Sequence, residues 1–491
     1  MIEVPKFFIH APKIKTHPAS RGAFFTGTET RLGYNHATMM SLRCSPQFFS
    51  RQCFSRLRPL GLLGLILLLG LSAFTAQALT KPTVPPTTLS VDFAVPAPQK
   101  NMSGFLNGIG QNAPADDLVL PLKPAWWRLS ANDQKGVQRA RQWGAQIQLS
   151  VSDAYGYPLN HWRGHGAPWE NNWKRWEAHV RQLANEYRGQ PVYWDIWNEP
   201  DTQKWNETTF WNGSPQQFFE TYKRAYTILR EELGPDAIIG GPSYANYNQG
   251  DLEAFLSYCH ENQLQVNFLS WHELMRVDFA VPDIAEHLAY IRKLASTYPD
   301  LRIQKIMINE TVGPKTTYFP GDVLAVLHTL ERGGADGANR ACWNDSKKRN
   351  NCFNQSLDGL IDPETQLPRS AWWAYKTYAD SMASRVKVSS THPNVVGMAS
   401  QQPAQILVGY FGKEPASSTM FTVRLTHLSA IGQTGKRLKV AIAKAPNTGE
   451  APLSALIPVR TVTVPINKDA ATVTIPDLQL HEEAVLTVLS P

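Results

Sequence analysis

From residue 104 to about residue 345, short apolar runs alternate with longer amphipathic stretches, eight times over. This rhythm narrows the choice of fold sharply, because repeated strand–helix units build a parallel sheet with helices outside it. The runs are GFLNGIG (104–110), AWWRLS (125–130), AQIQLSVSD (145–153), VYWDIWNE (192–199), AIIGGP (237–242), NFLSWHE (267–273), IQKIMINE (303–310) and ANRACWND (338–345). Helical stretches separate them. One, SPQQFFETYKRAYTILREEL, opens with Ser214-Pro215, a capping serine followed by proline at the first helical position. Eight strands over about 250 residues is the size of a (β/α)8 TIM barrel, so an α/β barrel is expected over residues 104–383. Past the helix PRSAWWAYKTYADSM the texture changes to valine- and threonine-rich strands parted by turns, which predicts a C-terminal antiparallel β-sandwich over 384–491.

The N-terminus reads as a leader, residues 1–78. The apolar stretch PLGLLGLILLLGL (59–71) follows Arg51, Arg56 and Arg58 and precedes Ala76-Gln77-Ala78, a small-x-small cleavage pattern. That stretch is shorter than the ~20 residues of a membrane-spanning helix, so a cleaved secretory signal is favoured over an uncleaved inner-membrane anchor. The n-region sits far from Met1, which points to Met39 or Met40 as the start of translation. Residues 79–103, rich in proline, read as a linker or outer strand.

The leader also accounts for the basic charge. It holds nine of the 48 Lys/Arg and two of the 41 Asp/Glu, leaving 39 of each sign in the remainder. The formal +7 therefore argues neither for nucleic acid nor for a polyanionic substrate. Cysteines agree with export to the periplasm or beyond. After the leader there remain Cys259, Cys342 and Cys352, and Cys342–Cys352 brackets a polar loop suited to a disulfide. No zinc-type spacing occurs, and neither metal nor cofactor is expected.

Active sites of parallel barrels form where the C-terminal strand ends converge. Several predicted strands end in polar residues: Arg128, Asp153, Asn198-Glu199, His272-Glu273, Asn309-Glu310 and Trp343. A carboxylate at a buried strand end is costly unless something there uses it. Glu199 and Glu310 close the fourth and seventh predicted strands, nearly opposite each other around an eight-stranded ring. Glycosidic cleavage needs one acid to protonate the departing oxygen and a second carboxylate at the anomeric carbon. Glu199 is expected as acid/base, its pKa raised by its charged neighbour, and Glu310 as nucleophile. Asn198 would offer its amide to a sugar hydroxyl, and Pro200 would turn the chain out of the strand.

VYWDIWNEPD, the FW at 210–211, FFETYKRAYTILREELGPDA and IIGGPSY together resemble retaining glycoside hydrolases of clan A, most of all family 39. The resemblance runs over about 104–383. It implies Glu199 as acid/base, Asn198 as its amide partner and Glu310 as nucleophile, with His272, Trp343 and Arg128 around the sugar. Leu274 and Thr311 stand where that family commonly has aromatics, which leaves the sugar open. Tyr155, Trp162, Trp169 and Trp173 are further candidates to line the cleft. Trp173 also shares a helix face with Trp176, which suits core packing. Glu273 competes with Glu310 only if the strand count slips by one, and alternation turns it away from the pore. The expected partner is an oligo- or polysaccharide. Two rivals are a clan-A β-glucanase and a non-catalytic carbohydrate-binding barrel of an envelope complex.

Overall fold

The computed structural model describes residues 87–157, 167–168, 172–201, 210–274, 281–413 and 420–490. The leader, Trp162 and Trp169 lie outside these residues. Among the described residues, no helix is long and apolar enough to cross a membrane.

Among the described residues, seventeen strands fall into two sheets. The first strand, β1 (Thr87–Pro96), belongs to the second sheet. The next eight build the first: β2 (Gly104–Leu106), β3 (Trp126–Ser130), β4 (Gln146–Ser150), β5 (Tyr193–Asp195), β6 (Ile238–Tyr244), β7 (Phe268–Glu273), β8 (Lys305–Thr311) and β9 (Gly337–Arg340). They pair in chain order, and every ladder is parallel. β2 lies against β9, where a Cβ on Gly104 would stand 1.9 Å from the Ala338 carbonyl oxygen, an approach that only glycine admits. Helices follow the strands and bury one apolar stripe each against the ring, as Phe218, Tyr222, Ala225 and Leu229 do in the helix Pro215–Leu233. Ser214 and Gln217 cap that helix reciprocally. The protein is a (β/α)8 TIM barrel, as the alternation predicts.

The second sheet has nine strands. Besides β1 it holds β10 (Arg385–Ser390), β11 (Val395–Gln401), β12 (Ala404–Tyr410), β13 (Phe421–Thr426), β14 (Arg437–Ala445), β15 (Ile457–Pro465), β16 (Ala470–Ile475) and β17 (Glu483–Val488). All its pairings are antiparallel except β1 with β13. Its terminal strands meet, with Arg460 of β15 donating to the Thr474 carbonyl of β16 at 3.0 Å, so the sheet folds back over Leu89, Val91, Phe93, Val423, Leu425 and Val440. One expectation changes here. Within the stretch before the barrel, read as linker or outer strand, Thr87–Pro96 forms a strand, β1, that sits inside the second sheet between β10 and β13. Its alternation of Leu89, Val91 and Phe93, all fully buried, is the pattern that puts it there.

Barrel and sandwich pack through the helices Pro320–Gly333 and Ser370–Asp380. At Gly321 a Cβ would lie 2.3 Å from the Tyr410 carbonyl oxygen. Arg385 of β10 pairs with Glu331 at 3.2 Å, and Trp373 Nε1 donates to the Leu453 carbonyl at 2.6 Å. Glu483 of β17 is also buried here, its Oε1 2.7 Å from the Thr377 hydroxyl, while Oε2 has no partner among the described residues. Burial pushes its carboxyl up to about 8, against the Thr377 hydrogen bond. The folded chain thus keeps a proton that the unfolded chain releases above its ordinary 4.5. Stability should therefore fall as pH rises between those two values, and level off above the higher one. Glu483→Gln is expected to match the parent at pH 4 and to exceed it by about 2–5 kcal/mol at pH 8. Urea unfolding at both pH values checks this, and equal gains at the two would refute it.

Candidate active site

A guanidinium at the centre of a barrel must be met by charge and hydrogen bonds or it would destabilise the core. Arg128 of β3 is 1% exposed and meets three partners. Its Nε donates to Asp195 Oδ2 at 2.8 Å, Nη2 to Asn198 Oδ1 at 2.8 Å, and Nη1 to Glu310 Oε1 at 3.2 Å. Asp195, the last residue of β5, is itself enclosed. It also accepts from Ser243 Oγ at 2.8 Å and Asn309 Nδ2 at 3.1 Å. Burial raises its carboxyl above the ordinary range, with Arg128 opposing. Arg128 and Asp195 form the floor on which Asn198 and Glu310 rest.

β5 ends at Asp195, so Trp197, Asn198 and Glu199 leave the ladder earlier than the alternation suggests. Trp197 turns outward into an aromatic cluster, edge-on to Trp211 at 5.0 Å and to Trp176 at 5.5 Å. Glu199 then adopts φ 50°, a left-handed conformation unusual for a residue with a side chain. Its N–H is fixed on the Ser243 carbonyl at 2.9 Å, and the Asn198 N–H on Ser152 Oγ at 3.0 Å. The turn that the sequence assigns to Pro200 alone is held by these two bonds, which aim the Glu199 carboxylate across the mouth. Backbone held in a sparsely populated region is a mark of functional loops.

On the facing side, His272 of β7 sets Nδ1 3.1 Å from Glu199 Oε1 and Nε2 3.9 Å from Glu310 Oε1. Glu199, His272 and Glu310 each present one atom within 4.8 Å of the other two. The same three atoms would be the donors if a cation entered. Glu310 already has positive charge beside it in Arg128, which holds Oε1 and leaves the side chain 14% exposed to solvent. Burial raises the Glu310 carboxyl; Glu199 and Asp153 add to the shift, while His272 and Arg128 oppose it. Two carboxylates so close titrate as one system. Glu273 turns outward, accepting from Trp271 Nε1 at 2.7 Å and facing His287 Nδ1 at 2.8 Å.

Trp343 follows β9 and is fixed by Nε1 on the Val312 carbonyl at 2.9 Å, beside the loop after β8. The adjoining Cys342–Cys352 disulfide closes that segment. Tyr155 does not reach the cleft. It is 1% exposed and stands edge-on to Trp176, in the layer behind the strands. The intervening Gly156, at φ 95°, turns the chain so that Tyr157 packs on Phe210 at 4.7 Å and donates to Asp153. Trp173, half-buried, packs against the barrel core and lies under the Arg224 guanidinium at 4.5 Å. Asp195 is a site residue to which the sequence motifs assign no role. An aspartate inside a predicted strand, with an unpartnered arginine in another, was the available signal for Asp195.

Residues 158–310 match the family described as Glycosyl hydrolases family 39, a span that takes in both strand-end glutamates. Over that stretch the chain is similar to family 39 glycosyl hydrolases. Solved structures agree on the fold. N2152 from Neocallimastix frontalis is 20% identical over 83% of this chain and 100% of its own, with a TM-score of 0.68. The GH39 enzyme from Xanthomonas axonopodis pv. citri is 16% identical over 83% and 98%, at 0.59. A monomeric β-xylosidase from Caulobacter crescentus is 14% identical over 82% and 99%, at 0.56. The protein is a glycosidase, a hydrolase acting on glycosides.

Proposed function

We propose that this glycosidase works by double displacement with retention of configuration, on an oligo- or polysaccharide outside the cytoplasm. The observation that carries the reading is the approach of Glu199 and Glu310 across one mouth, each with an oxygen within 4.8 Å of the other's. Retaining enzymes hold their carboxyl groups ~5–5.5 Å apart, whereas inverting ones need ~6.5–9.5 Å to admit a water.

In the first step a Glu310 oxygen attacks the anomeric carbon while the Glu199 carboxylic acid protonates the departing glycosidic oxygen. Arg128 and His272 flank the Glu310 carboxylate and orient it. In the second step Glu199, now ionised, takes a proton from water as its oxygen replaces Glu310 at the same carbon. Asn198, pinned by Arg128, directs its amide nitrogen toward the hydroxyl beside that carbon, and Trp343 offers a face to the ring. Export is supported by the leader pattern over 59–78 and by the disulfide, which persists in oxidising compartments. Proton NMR of early products from a panel of aryl glycosides tests the stereochemistry. The first anomer formed should match the substrate's, and the opposite anomer would sink the double displacement.

A further inference from the structure

β8 loses its regular pairing on both sides near Glu310. Toward β7 the register slips between Trp271↔Ile308 and His272↔Glu310, and toward β9 between Ile308↔Ala338 and Thr311↔Arg340. A bulge of this kind re-aims a side chain and interrupts the ladder that would otherwise fix it. Arg128 holds the Glu310 carboxylate, but the backbone beneath that carboxylate needs support of its own. Two donors from one segment supply it. The Ala341 N–H bonds the Thr311 carbonyl at 2.8 Å, and the Trp343 indole N–H bonds the Val312 carbonyl at 2.9 Å.

Val312 makes the second bond consequential. It is fully buried, and its φ of 65° lies in the left-handed region, where a β-branched residue is an outlier. Such a conformation persists only where the surroundings hold it. Past Val312 the loop is pinned, by Arg340 Nη2 on Thr317 Oγ1 at 2.8 Å and by Asn351 Nδ2 on the Tyr318 hydroxyl at 3.1 Å. A Val312 that relaxed would therefore displace the bulged end of β8 rather than the loop. Trp343 is itself held on both sides, by the adjoining Cys342–Cys352 bridge and by the Asn351 N–H on its carbonyl at 3.3 Å. We propose, resting on the role given to Glu310 above, that Trp343, tethered by that bridge, is a positioning residue for Glu310. It acts through the Val312 carbonyl, apart from any face it offers the sugar.

Trp343→Phe in the full chain tests this, because phenylalanine keeps an aromatic face and loses the N–H. On the aryl glycoside that the parent cleaves best, kcat should fall about tenfold while KM stays within about twofold. Azide gives the sharper readout. In Glu310→Ala the external anion takes the place of the carboxylate, so adding Trp343→Phe should leave the azide-rescued rate on a dinitrophenyl glycoside within about twofold. Cys342→Ala with Cys352→Ala should give the same loss in kcat, and combining the pair with Trp343→Phe should add little, since both act on one contact. A rise in KM at constant kcat would overturn the proposal, because the tryptophan would then serve only as a face for the sugar. So would a Trp343→Phe loss that persists undiminished under azide rescue, or losses from the bridge and the indole that simply add. Should the cysteine variant not fold, Trp343→Phe and its azide readout still decide. Failure of the proposed function looks different, since Glu310→Ala would then keep its activity with no azide present.

Discussion

Glu310→Ala should lose about 10⁴- to 10⁶-fold in kcat on whichever aryl glycoside the parent cleaves, with the fold intact. The side chain is partly exposed and held by one guanidinium contact, so its removal clears space at the anomeric carbon without collapsing the floor. Azide should enter that space and rescue the variant on a substrate with an activated leaving group, giving a glycosyl azide of inverted configuration. Glu199→Gln should fail differently. Activated aryl glycosides need little protonation, so their first step should survive, while poor leaving groups should lose about 10²- to 10⁴-fold. Because burial and Glu199 together raise the Glu310 carboxyl, the acid limb of the parent's pH–rate profile should lie above the ordinary carboxylate range. Full activity in both variants would remove the catalytic assignment.

Arg128→Ala should be the most destabilising single change in the barrel, by about 3–5 kcal/mol, because it strands Asp195 as an unpaired charge in the core. Chemical denaturation at pH 7 measures this. The loss should shrink when Asp195→Asn is added, since the second change removes the orphaned charge. Additive losses would mean that the two side chains act independently, against the geometry. Activity should fall further than stability requires, as Asn198 and Glu310 both lose their anchor on Arg128.

The barrel was legible because each strand is a short apolar run with helical periodicity after it, a signal set by local chemistry. Glu199 and Glu310 were legible for the same reason: a carboxylate closing such a run costs desolvation energy that packing alone does not return. Finer placement depended on turns. Tyr155 and Tyr157 flank Gly156, and the backbone angle at that glycine sends one ring onto Trp176 and the other onto Phe210. Asp195 was hidden because an acid within a strand reads as an interruption until its arginine is located across the ring. β10 and β11 are faint in the sequence for a related reason. VKVSS and VVGMAS are modest strand formers that owe their state to the neighbours they pair with.

The placement of β1 sets the order in which this protein is completed on the ribosome. Thr87–Pro96 leaves the tunnel first among the described strands, yet its partners Arg385–Ser390 and Phe421–Thr426 are translated some 300 residues later. At about 5–20 residues per second that is a wait on the order of 15–60 s with Leu89, Val91 and Phe93 uncovered. A ribosome that stalls before β13 therefore leaves behind a chain whose barrel is fully encoded but whose opening strand still seeks a mate, and such a chain is the natural prey of holdases and of strand-pairing aggregation.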